Sequence, residues 1–277
     1  MPVLDTIDLQ LGMVDGEEAS EALPVDSSKI VLSRRGIRSV SLTSLKRLPS
    51  LTWLDLSHNS LRNVDLTPLS SSGIQYLSLS YNPLDEVDLS PLASCDELHT
   101  LRLTGCNLKS LSLSPLRSTG IRVLSVAFNR LTEVDVSALG SCRSLQMLLV
   151  NRNELHEVDL TGLSTCTNLE TLNLGHNPLQ DVDLAPLVSC NRLLSLVLNK
   201  TLVERISLEP LGQATSLKAL NLSENRLKVV DLRPLNHLEF LAEVNLTRNP
   251  LIRVRVSSTS TSSVLQIDDT SVVDGRA

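Results

Sequence analysis

The chain has 277 residues, 42% of them hydrophobic and 20% charged, with a net charge of −6 and a pI near 5.4. That length and apolar share can build a sizeable core, while the acidic balance excludes a general attraction for nucleic acid or an anionic membrane. One Trp, two Tyr and two Phe are the only aromatic residues, so the core must be packed with aliphatic side chains.

The opening stretch, MPVLDTIDLQLGMV, lacks a basic region followed by an apolar run of signal-peptide length, and no later run approaches a membrane span. An intracellular protein is expected, cytoplasmic or nuclear. Ile7, Leu9 and Leu11 alternate as a strand, and an acidic loop comes next through Asp15, Glu17, Glu18 and Glu21. Residues 1–27 are expected to cap the leucine-rich segment that begins at residue 28, covering its first leucines.

Residues 28–256 repeat every 23 or 24 residues, in a register carried by Asn59, Asn82, Cys106, Asn129, Asn153, Asn177, Thr201, Asn225 and Asn249. Arg35 takes that place in a divergent first repeat around Ile30, Leu32 and Ile37. A period of this length means a solenoid, here of about ten units in one unbroken domain. In Leu54-Asp55-Leu56 the alternation points both leucines inward and Asp55 outward. One such strand cannot bury its leucines, but strands stacked about 4.8 Å apart cover one another. The recurrent Asn suits a sharp turn after the strand, where a buried amide satisfies backbone groups that no ladder reaches.

The segments LTWLDLSHNSL, LETLNLGHNPL and LKALNLSENRL resemble the L-x-x-L-x-L-x-x-N/C-x-L signature of the leucine-rich repeat family. The resemblance implies an α/β repeat solenoid, a horseshoe with a concave parallel β-sheet and short extended, 3₁₀ or helical segments on the convex side. For extracellular relatives it would also imply disulfide-bonded cysteine caps, which are absent from this sequence.

The second half of each unit reads like Val64-Asp65-Leu66-Thr67-Pro68-Leu69. The alternation of Val and Leu around Asp predicts a brief second extended segment, and the Pro a 3₁₀ or helical turn. Two units are one residue short, and Gly73 and Gly120 are expected to tighten them. Asp65, Asp88, Asp135, Asp159, Asp183 and Asp231 form an acidic row that serves solubility or receives a basic segment. Cys95, Cys142, Cys166 and Cys190 share a position that Leu or Ala fills elsewhere, which favours buried free thiols over disulfides and a reducing compartment.

Function must be read from the outward strand positions that the repeat does not dictate. Trp53, Tyr76, Tyr81 and Phe128 fall there although the core uses almost no aromatic residue, and Asp55, Arg102, Met147, Leu149 and Arg152 join them. Aromatic residues and Arg dominate binding hot spots, so these residues are expected to bind a partner. The plainer alternative is that they pack on one another as cover for the sheet. A finer reading has Trp53, Asp55, Tyr76 and Tyr81 receive a partner Lys or Arg through cation-π contact and a carboxylate. The N-x-S/T triplets at Asn199, Asn221 and Asn245 arise from strand wording more readily than from glycosylation. Residues 257–277 begin with a Ser/Thr run from Ser257 to Ser263; Val264, Leu265 and Ile267 then fold back as a capping strand or lead to a further domain.

No nucleophile elbow, phosphate loop or paired-cysteine zinc spacing is present, and the five histidines are scattered. The expectation is a non-enzymatic scaffold or adaptor without cofactor or metal. It would be a monomer binding a protein or peptide, with neither nucleic acid nor membrane as partner. The alternatives are a recognition domain of a larger regulatory or immune-type receptor, and a module for a small molecule or glycan.

Overall fold

The computed structural model describes residues 5–256, 264–268 and 273–274. The Ser/Thr run from Ser257 to Ser263 lies outside the described residues. The chain forms two compact units, Met1–Leu131 and Thr132–Ala277.

In the first unit, β1 (Thr6–Met13) and β2 (Glu18–Pro24) form an antiparallel hairpin, and β4 (Ile37–Ser41) pairs antiparallel with β1 on its other edge. Ile7, Leu9 and Leu11 are buried and the residues between them exposed, as the alternation requires. Glu18 and Glu21 belong to β2, so the expected acidic loop is a tight turn leading into a strand. The remaining strands are three residues each: β3 (Lys29–Val31), β5 (Trp53–Asp55), β6 (Tyr76–Ser78), β7 (Thr100–Arg102) and β8 (Val123–Ser125). They pair parallel and in register, Lys29 to Trp53 to Tyr76 to Thr100 to Val123. Their central residues, Ile30, Leu54, Leu77, Leu101 and Leu124, are at most 2% exposed.

The second unit repeats the pattern with β9 (Met147–Leu149), β10 (Thr171–Asn173), β11 (Ser195–Val197), β12 (Ala219–Asn221), β14 (Glu243–Asn245) and β16 (Leu265–Gln266), again parallel and in register. A second parallel ladder joins β13 (Val229–Asp231), β15 (Arg253–Arg255) and β17 (Val273–Asp274). Its first strand is the V-D-L segment of a late repeat. Among the described residues the same wording elsewhere, such as Val64-Asp65-Leu66, is not a strand. Alternation around Asp therefore does not by itself form the second strand, which needs a neighbouring repeat within hydrogen-bonding reach.

The Asn column joins each repeat to the one before it. Asn129 Oδ1 accepts the backbone N–H of Cys106 at 2.9 Å and of Leu108 at 3.1 Å, and its Nδ2 donates to the carbonyls of Leu103 and Val126. Asn59, Asn82, Asn225 and Asn249 make equivalent bonds. Where Cys106 replaces Asn, its Sγ donates to the Leu79 carbonyl at 3.3 Å. Thr201 fills the place by bonding Asn225 Oδ1 through both its backbone N–H and its hydroxyl.

Short 3₁₀ turns come next, with Pro at the first or second position in Thr67–Leu69, Ser90–Ser94, Ala185–Ser189 and Glu209–Gln213. The Asp column caps these turns. Asp65, Asp88, Asp159 and Asp183 each accept the backbone N–H two residues on, at 2.8–2.9 Å. This Asx geometry closes the chain before the turn, a structural use beyond solubility. Gly162 stands in the Pro place because a Cβ there would overlap the Val136 carbonyl oxygen of the preceding turn. The first short unit turns at Ser71, which has φ 58°, whereas Gly73 has no positive φ; the tightening expected from that glycine falls on Ser71 instead.

Candidate functional site

The residues immediately before the Asn column share an unusual backbone. Arg34, His58, Tyr81, Phe128, Arg152, His176, Lys200, Glu224 and Arg248 all have φ between 54° and 59°. A left-handed non-Gly residue costs roughly 1 kcal/mol or more. In seven of the nine the next residue is an Asn whose bonds hold the turn; after Arg34 and Lys200 it is Arg35 and Thr201.

In the first unit this row and the first outward strand column carry the aromatics. Trp53 and Tyr76 are register partners on β5 and β6, and their rings stack at 3.6 Å between centroids with planes 3° apart. Lys29 Nζ stands 4.7 Å from the Trp53 ring centre and Arg102 Cζ 5.9 Å from that of Tyr76. The chain thus supplies cations to this pair itself. Asp55 is engaged as well, accepting the Ser57 N–H at 2.9 Å. At the expected receptacle for a partner Lys or Arg, formed by Trp53, Asp55, Tyr76 and Tyr81, Lys29 and Arg102 of the chain itself thus already stand against the first aromatic pair. Trp53 Nε1 is buried and has no hydrogen-bond partner among the described residues.

A second stack lies along the turn row. His58 and Tyr81 face each other at 4.4 Å and 17°. On the next repeat Gly105, with φ 66°, leaves room for the Tyr81 ring; a Cβ there would stand 2.8 Å from Tyr81 Cδ1. Tyr81 and Phe128 remain 46% exposed, more open than the half-buried Trp53 and Tyr76. The plainer expectation of mutual packing thus describes the Trp53–Tyr76 pair, and Tyr81 and Phe128 are the more accessible aromatics. In the second unit Met147 and Leu149 are half-buried on β9, and Arg152 is an exposed member of the turn row.

Asn221 and Asn245 show why N-L-S and N-L-T recur at strand ends. Each accepts bonds through Oδ1 from both the backbone N–H and the hydroxyl of the Ser or Thr two residues on. The five cysteines are free and buried. Burial pushes the Cys106 and Cys190 thiols up to about 11 and that of Cys166 to about 12.

The family model described as leucine rich repeat matches residues 28–84 and 119–179. Those segments are less than half of the chain, and the parallel ladders and the Asn column carry the same repeat through the described residues beyond them. The chain is a leucine-rich repeat protein. No curated protein sequence matches it. Among solved structures, this leucine-rich repeat protein is similar to internalin C2 of Listeria monocytogenes, with 27% identity, TM-score 0.61, and coverage of 74% of this chain and 86% of the other. The functional domain of InlJ from the same organism, which includes a cysteine ladder, gives 19% identity and TM-score 0.67 over 96% of this chain and 63% of that domain. The ectodomain of the membrane receptor kinase GASSHO1/SCHENGEN3 from Arabidopsis thaliana, in complex with CASPARIAN STRIP INTEGRITY FACTOR 2, gives 21%, TM-score 0.55, and 81% and 33%. The chain thus spans less than two thirds of the InlJ domain and about a third of that ectodomain.

These relatives overturn the expected intracellular, cytoplasmic or nuclear location, since internalins and a receptor ectodomain point away from it. The cysteine argument fails for a physical reason: a thiol buried in a repeat core and held protonated is protected from oxidation whatever surrounds the protein, so its state does not report the compartment. Among the described residues no helix is long and apolar enough to cross a membrane, and no cluster of three or more His, Cys, Asp or Glu could hold a metal ion.

Proposed function

We propose that this leucine-rich repeat protein is a non-enzymatic interaction module, a scaffold or adaptor that binds a protein or peptide on the open face of its parallel sheet. The observation that supports the reading is the stack of Trp53 on Tyr76 on adjacent strands, with Tyr81 and Phe128 exposed in the turn row of the same unit, in a chain whose core is aliphatic. Tyr81 and Phe128 are the exposed anchors, with the Trp53–Tyr76 stack and Arg102 as a rigid floor. Rigid aromatic surface is gained at low entropic cost, which is why such side chains dominate binding energy. Met147, Leu149 and Arg152 extend the proposal to the second unit. The net charge of −6 argues for a protein partner ahead of nucleic acid.

Affinity capture with mass spectrometry tests this, with wild type compared to a Tyr81→Ala, Phe128→Ala double variant of unchanged circular dichroism. A partner retained by wild type and weakened at least about 30-fold in the variant is expected, because hot-spot truncations cost roughly 2 kcal/mol or more. Equal retention would remove the aromatic face as the binding surface. A second reading, the recognition domain of a larger receptor, is favoured by the 33% of the plant receptor ectodomain that the chain spans. Domains encoded beside it in the full gene would decide for that reading.

A further inference from the structure

The second unit holds an open groove of about 600 Å³ between the turn row and the residues just after the Asn column. His176, Lys200, Glu224 and Arg248 line one side, and Pro178, Leu202 and Arg226 the other. Among the residues that line it, Lys200, Arg226 and Arg248 face the single carboxylate of Glu224; at one end Asp268 accepts the Arg248 backbone N–H at 2.6 Å, and Asp181 and Glu204 lie in a neighbouring depression that shares Leu202 and Arg226. Glu224 meets Arg248 at 3.5 Å, while Lys200 and Arg226 form no ion pair among the described residues. His176, on the same row, is held below its ordinary titration range by burial and then by the nearby charges of Arg152 and Lys200. Leu202 and Pro178 are half-buried and supply the apolar part of the lining.

We propose that this groove binds an extended acidic peptide segment carrying an apolar residue, the carboxylates meeting Lys200 and Arg226 and the apolar side chain resting on Leu202 and Pro178. The dimensions agree. From His176 to Arg248 is three repeat steps of about 4.8 Å, roughly 14 Å, which about four residues of extended chain span at about 3.4 Å each. The alternatives fit less well. The groove offers no aromatic platform for bases to stack on, which single-stranded nucleic acid uses. Its three cations are fewer than the cluster of about four to eight Lys or Arg that anionic lipid recognition requires. The site is independent of the aromatic face of the first unit and would stand if that face proved inert.

Fluorescence anisotropy with a labelled decapeptide of Glu interrupted by one central Leu is the test, run on the full chain in low and moderate salt. Wild type should bind with an affinity that falls as salt rises. A Lys200→Glu, Arg226→Glu double variant should lose roughly tenfold or more, and Lys200→Gln, Arg226→Gln less. Tyr81→Ala, Phe128→Ala should bind the peptide like wild type, which separates this groove from the aromatic face. Absence of binding by wild type would overturn the proposal, as would equal binding by the charge-reversed variant with its circular dichroism unchanged. Tighter binding of a thymidine oligonucleotide or of heparin than of the peptide would overturn it too.

Discussion

Asn129 meets five backbone groups from two repeats, the N–H of Cys106 and Leu108 and the carbonyls of Leu103, Val126 and Ala127, so its amide is a bond between neighbours more than a feature of one turn. Replacing it with Ala leaves these groups buried without that partner, and each such group costs about 1–3 kcal/mol if nothing replaces the bond. Asn129→Ala is therefore expected to lower the stability of the first unit by about 3 kcal/mol, read as a shift of the urea midpoint. Asn129→Cys should lose less, because Cys106 already fills the equivalent place by donating Sγ–H to the Leu79 carbonyl. Equal losses for the two variants would mean that the column is filled for shape and not for hydrogen bonding. At the same scale, the stack of Trp53 on Tyr76 bracketed by Lys29 and Arg102 explains how large aromatics tolerate a polar face: each ring covers its neighbour and cations cover both.

The repeating element couples a three-residue strand to a 3₁₀ turn, and the joint between them is the Asp of V-D-L. Bonds from the Thr67 side chain and backbone hold the Asp65 carboxyl below its usual range; Ser90 does the same for Asp88 and Thr161 for Asp159. At Asp231 the Arg233 side chain is the main cause. The sign comes from linkage: a carboxyl whose folded pKa is depressed stabilises the fold above its unfolded value near 4, and that contribution is lost as pH falls through the folded pKa. Urea unfolding repeated between about pH 5 and pH 3 should show stability declining with acid. An Asp88→Asn, Asp159→Asn double variant should flatten that decline, and a slope identical to wild type would show that these caps do not govern it. The row of like charges is tolerated because Asp65, Asp88, Asp159 and Asp183 each accept a bond from their own turn, while Asp231 is paired with Arg233 as well.

Across the whole molecule, the features legible in the sequence are those that repeat. Strand registers, the Asn column, the buried cysteines and the outward columns at Lys29, Trp53, Tyr76, Thr100 and Val123 all derive from one alternation counted against a 23- or 24-residue period. Departures lie where a repeat must meet a particular neighbour: the turn at Ser71, the second ladder confined to β13, β15 and β17, and the cations over Trp53 and Tyr76. Pairings of that kind depend on distances between repeats, which residue periodicity does not encode. Location is not legible for a related reason, because free thiols report on burial and not on the surroundings. That has a measurable consequence for the intact chain. With Cys106, Cys166 and Cys190 held protonated up to about 11–12 and all five thiols buried, the native protein should resist Ellman's reagent at about pH 8 and release five equivalents only on unfolding. Its thermal midpoint should be the same with and without reductant. Thiols whose folded pKa is raised stabilise the fold below the unfolded value near 8.5 and lose that contribution as pH rises toward about 11–12, so the midpoint should fall above about pH 9. A midpoint that drops on adding reductant at neutral pH would reveal a disulfide and restore the cysteines as reporters of an oxidising compartment.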